Sequence, residues 1–115
     1  MSTVKVDTIK TTGNVEVYTC KAWVNFDGTT NTGGSCTIRA SGNVTSVTDS
    51  STGIYVVNFA TAMTDANYST VVTCEQAEFA GMGSPTTSSI TVYCVTRQDS
   101  LSRADNAFMN VAVFR

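Results

Sequence analysis

Histidine is absent from these 115 residues, which removes the side chain most small hydrolases use as their base. Ser-His-Asp and Cys-His arrangements are therefore impossible, and the one SxxK spacing, Ser2 to Lys5, stands in the short polar start of the chain, where it is not read as a Ser-Lys pair. Paired carboxylates remain, since a glycosidase needs only an acid and a nucleophile or base. Asp27, Asp49, Asp65, Glu75, Glu78 and Asp99 are the candidates. Most of them stand in turn-forming stretches, where a carboxylate caps backbone amides. Asp27, Asn31 and Asp49 lack the spacing of an Asp-rich calcium loop, and no GxxxxGK run cradles a phosphate. The expectation is a protein that is not an enzyme, with no cofactor and no metal.

Four cysteines, Cys20, Cys36, Cys74 and Cys94, lie far apart without a CxxC pair. With no histidine to complete a ligand set, zinc is disfavoured. Each thiol reads as a small buried apolar group on a strand. Cys74 and Cys94 have a second reading, as partners on neighbouring antiparallel strands that could bond. The aromatic residues Tyr18, Trp23, Tyr55, Tyr68 and Tyr93 read first as packing groups, and second as a platform on which a sugar ring stacks.

The elements that must position these residues are strands. Charged residues make up 14% of the chain, Leu101 is the only leucine, and Ser, Thr and Val abound, a mixture that favours strands over helices. No window repeats apolar residues at helical spacing. Alternation of period two predicts strands over Val15–Phe26, Cys36–Ala40, Val44–Val47, Ile54–Phe59, Tyr68–Gln76, Ser88–Arg97 and Phe108–Arg115. Asp27-Gly28 through Gly33-Gly34 reads as a hairpin connection. Residues 78–87 read as a longer loop, with Phe79, Gly81, Met82, Gly83 and Pro85 as candidate recognition residues. About seven antiparallel strands and no long helix make the fold class all-β, a β-sandwich or Greek-key barrel.

Both faces of several strands carry large apolar groups. In Val15–Phe26, Tyr18, Cys20, Ala22, Val24 and Phe26 oppose Val17 and Trp23, whereas a lone antiparallel sheet in water keeps one face polar. Val17, Trp23, Met109 and Phe114 are therefore candidates for a subunit interface. Residues 1–14 read as an arm ahead of a single β domain over 15–115. Val4, Val6 and Ile9 are its candidate attachment residues, because strand-forming backbone must pair with something. A net charge of −2 offers no basic stripe for nucleic acid. No cationic start with an apolar run marks export, and no apolar run is long enough for a membrane span.

The run CKAWVNFDGT at Cys20 to Thr29, continued by IRASGNVTSVTDSSTGIYVVNF at Ile38 to Phe59 and AMTDANYSTVV at Ala62 to Val72, resembles a domain of phage tail-fibre proteins. The closing VAVFR fits that domain's usual ending. The resemblance implies a virion protein of tailed phages and related prophages, assembled in the host bacterial cytoplasm, whose domain ends a fibre and forms a homotrimer. Without a long shaft ahead of the domain, the arm would attach it to other virion proteins, and exposed loops would meet a glycan or protein on the host surface. A capsid decoration protein that cements capsomers is the alternative, and a free carbohydrate-binding module is the second.

Overall fold

Antiparallel pairing links every described strand into one sheet that curls until its ends nearly meet, a barrel closed except for one seam. The computed structural model describes Thr3, Lys5 and residues 8–75, 79–98 and 100–115. Among these there is no helix, and nine strands follow one another: β1 (Cys20–Thr32), β2 (Ser35–Gly42), β3 (Val44–Ser51), β4 (Ile54–Phe59), β5 (Ser69–Cys74), β6 (Phe79–Gly83), β7 (Ser89–Gln98), β8 (Ser100–Arg103) and β9 (Met109–Phe114). Their order around the barrel is β5-β9-β1-β2-β3-β4-β7-β6, with β8 extending the ladder of β7 beyond β4.

Period-two alternation explains the interior. Ala22, Val24 and Phe26 of β1 point inward, as do Tyr55, Val57 and Phe59 of β4, Ile90, Val92 and Cys94 of β7, and Met109, Val111 and Val113 of β9. The aromatic rings meet edge to face: Phe26 and Tyr55 with centroids 5.2 Å apart, Phe59 and Tyr68 with centroids 5.8 Å apart. Tyr68 also fastens the turn ahead of β7, its hydroxyl lying 2.8 Å from the Ser89 carbonyl and 2.9 Å from that of Thr86.

Turn chemistry sets the registers. The connection between β1 and β2 is not the long hairpin expected over Asp27–Gly34. β1 runs on to Thr32, which pairs with Ser35 around Gly33-Gly34 alone. Both glycines have positive φ, 63° and 92°, as a two-residue type I′ turn requires. Gly28, expected in that turn, is instead buried within β1. A bulge in the β1–β2 ladder pairs Asn25 with Ala40 but Phe26 with Ile38. The extra residue is Arg39, which is turned onto the outer face.

Two strands went unforeseen. Phe79–Gly83, expected to be a loop, is the edge strand β6, with Gly81 paired to Tyr93 and Gly83 to Thr91. Two glycines in five residues suppress the strand signal, and the Tyr93 ring beside Gly83 supplies the packing they lack. The polar segment after β7 holds β8, which pairs with the end of β7. Conversely, Val15–Thr19 is not strand. The partner strand β9 offers its last pairing, Phe114, to Cys20, so residues before Cys20 have no ladder to join. They fold back on the arm through a bridge between Lys10 and Glu16 and a hydrogen bond from Val17 N–H to the Ile9 carbonyl.

Candidate functional site

Adjacent strands in this sheet carry one apolar row on the outside of the barrel. Trp23 on β1 pairs with Ala112 on β9, which pairs in turn with Val71 on β5, and on its other side Trp23 pairs with Gly42 on β2. The indole covers Gly42 so closely that a Cβ there would lie 2.8 Å from Trp23 Cδ1. The row remains exposed: Trp23 is 44% accessible and Val71 54%. Phe114, at the end of β9 beside Cys20 and Ser69, is also exposed and extends the apolar area toward the arm.

A polar row borders it one step along the strands. The Asn25 amide donates to Asn110 Oδ1 at 2.5 Å, and Arg39 Nη1 donates to Asn25 Oδ1 at 3.2 Å. The Arg39 guanidinium stands 4.0 Å above the Phe108 ring, a cation–π contact, and lies 3.6 Å from Asp27. Asp27 accepts from both the hydroxyl and the N–H of Thr29. These bonds, more than the Arg39 charge, lower its pKa. Asp27 thus caps a backbone amide from within β1 rather than from the turn expected there.

Near the arm, Arg115 forms a two-pronged pair with Asp65, Nε to Oδ1 at 3.0 Å and Nη2 to Oδ2 at 2.8 Å. Asp65 Oδ1 also accepts the Asn67 N–H at 2.8 Å. The Arg115 bonds, then that of Asn67, bring its pKa down to about 2. A carboxylate held down in this way adds stability that is complete above its unfolded pKa and is lost progressively as pH falls from there through the folded value. Asp65 should therefore stay ionised and clamped at pH 4 and release Arg115 near pH 2. A carboxyl NMR titration checks this, and a midpoint at the ordinary value of 3.8 would refute the clamp.

The structure disperses the remaining predicted residues. Phe79 and Met82 are exposed on opposite faces of β6, with Gly81 and Gly83 between and beyond them, and Pro85 is in the turn that follows. They line an edge strand rather than a projecting loop. Of the four interface candidates, Val17, Trp23 and Phe114 are exposed, but Met109 is wholly enclosed in the core. That corrects its assignment: Met109 pairs with Phe26 and Cys74 at positions whose side chains face inward. In the arm, Ile9 is exposed, while Val4 and Val6 lie outside the described residues, as do the carboxylate candidates Glu78 and Asp99. Among the aromatic residues, Tyr55 and Tyr68 are core, and Trp23 and Tyr18 are exposed. The described residues contain no cluster of metal-ligating side chains.

Sequence reasoning passed over Asp105 and Asn106. Asp105 Oδ1 accepts from the Tyr55 hydroxyl at 2.8 Å and from the Gly53 N–H at 2.9 Å. The same hydroxyl lies 3.0 Å from the Gly28 carbonyl, while the Gly28 N–H donates to the Asn106 carbonyl at 2.8 Å. Burial first, then the Asp105 carboxylate, raises the Tyr55 pKa far above its usual value, so the phenol stays a donor. This knot fastens the segment before β9 onto β1 and β4. Its residues have no spacing signal, because partners about 50 positions apart meet only once the barrel forms. Neither models of known protein families, nor curated proteins, nor solved structures match this chain.

Proposed function

We propose that this is a non-enzymatic bacteriophage virion protein, a tail-fibre or knob module whose copies associate as a homotrimer and meet the host surface. The observation that carries the reading is the Val71–Ala112–Trp23 row with Phe114 beside it, an apolar stripe on the outside of a barrel whose interior is already filled. Exposed apolar groups aligned in register across three strands favour a protein partner over water. Closed symmetry lets identical stripes cover one another. The arm adds to the case, because Ile9, Val15, Val17 and Tyr18 are all exposed on a segment folded back through a single bridge, and so little pairing is marginal in water without backing. The resemblance of Cys20–Val72 to phage tail-fibre domains supplies the virion context.

Light scattering on the purified chain tests the assembly. A mass of three chains is expected, and Val71→Asp, at an exposed position clear of the core, should reduce it to one chain with an unchanged circular dichroism spectrum. A wild-type monomer would overturn the reading. Antibody labelling of virions then separates tail from capsid. Label on the capsid, with heads that leak when the protein is removed, would favour the cementing alternative, whereas purified protein that blocks adsorption to host cells supports recognition.

A further inference from the structure

The barrel's seam lies between β5 and β6, the two ends of the strand order, and among the described residues no backbone ladder joins them. On the inward face of β5 the Thr70 hydroxyl is buried without a hydrogen-bond partner. On the same inward row stands Cys74, half-buried. Cys94 faces it from β7, the strand to which β6 is attached, and is fully buried. Cys74 packs against the core cluster that contains Cys94, and the two thiols interact across the inside of the seam, where burial pushes the pKa of both upward. The Cys94 sulfur also accepts the Asn106 amide N–H at 2.9 Å. Cys20, by contrast, is exposed and donates to the Ala22 carbonyl.

We infer that Cys74 and Cys94 are a disulfide-forming pair that closes the seam covalently when the protein meets a disulfide oxidant such as oxidised glutathione. Two thiols that already face one another lack the separation that is the usual obstacle to a new disulfide. Exposure sets the order of events. The oxidant reaches Cys74, whose thiolate attacks one glutathione sulfur, forms a mixed disulfide and releases one glutathione thiolate. Cys94 then gives up its proton and attacks the Cys74 sulfur, forming the internal bond and expelling the second glutathione. The two cysteine protons end on the two released glutathiones, and the two electrons lost by the cysteine sulfurs reduce the glutathione disulfide. Asn106 suits Cys94 to the second step, because its N–H points at the sulfur on which negative charge develops. The product ties β5, and through it β9, to β7 and β6, so that neither side of the seam can peel away alone.

The experiment uses the whole chain, incubated folded with oxidised glutathione, then alkylated in denaturant and mapped without reduction. The expected result is one cross-linked peptide pair joining Cys74 to Cys94, with buried Cys36 alkylated and exposed Cys20 carrying a single glutathione or alkylated. The thermal midpoint should rise by about 10 °C and fall back with dithiothreitol, the scale expected of a bond that closes a short loop. Cys94→Ser should leave Cys74 as a persistent glutathione adduct. If that variant does not fold, Cys74→Ser should leave Cys94 alkylatable under the same treatment. Four alkylatable thiols in the treated, folded protein would overturn the inference, as would a Cys74 bond to Cys20 or to a second chain. None of these outcomes depends on the subunit number.

Discussion

Gly28→Ala should lower the free energy of unfolding by about 2 to 3 kcal/mol, although it replaces a glycine within a strand. A Cβ at this position would lie 2.5 Å from Tyr55 Oη, 2.7 Å from the Asn106 carbonyl oxygen and 2.8 Å from Tyr55 Cζ. None of these atoms is free to retreat. The ring is fixed by its bond to Asp105 and its edge contact with Phe26, and the Asn106 carbonyl holds the N–H of Gly28 itself. An alanine would stiffen the unfolded chain, but that gain is only about 0.4 to 1 kcal/mol, so the clash decides the sign. Urea unfolding at fixed protein concentration measures the effect. Adding Tyr55→Phe removes the nearest atom, so alanine should cost less in that background than in the wild type. Equal costs would show that the hydroxyl is not the obstacle.

Phe26→Ala is expected to cost more, about 4 kcal/mol, because it removes a ring rather than crowding one. Phe26 is entirely enclosed, pairs with Ile38 on one side and Met109 on the other, and meets the Tyr55 ring at 71°. The strands around it are tied by backbone ladders and cannot collapse into the space, which is the circumstance in which a cavity is most expensive. Phe26→Leu should retain more than half of the lost stability. The same urea measurement checks both substitutions, and equal losses for alanine and leucine would mean that the site is not packed as described.

These two residues also show what the sequence made legible. Phe26 was readable because strand alternation is local: Ala22, Val24 and Phe26 share a face whatever they pack against. The same holds for Tyr55, Val57 and Phe59, and for Ile90, Val92 and Cys94. Gly28 was misread because Asp-Gly is strong turn chemistry, and only the distant Tyr55 and Asn106 reveal why a glycine is needed inside the strand. β6 was missed for a related reason, since its glycines are covered from β7. At the outer face, Trp23 and Phe114 were recognisable by an apolar residue opposite a core residue. Val71 and Ala112 join them only through the β5-β9-β1 order, which alternation within single strands does not specify. Met109 was misplaced because an apolar side chain in a strand apolar on both faces gives no indication of which face is inside.

That order has one more implication. β1 is the first strand of the barrel to leave the ribosome, yet it is flanked by β2 and by β9, the last. One of its edges must wait through the synthesis of every strand between them. Contacts that distant in sequence form slowly, and an unpaired edge carrying Trp23 is an invitation to stray pairing in the meantime. The nascent chain carries that hazard until β9 emerges, and the arrival of this strand both completes the hydrogen bonding of β1 and ends it.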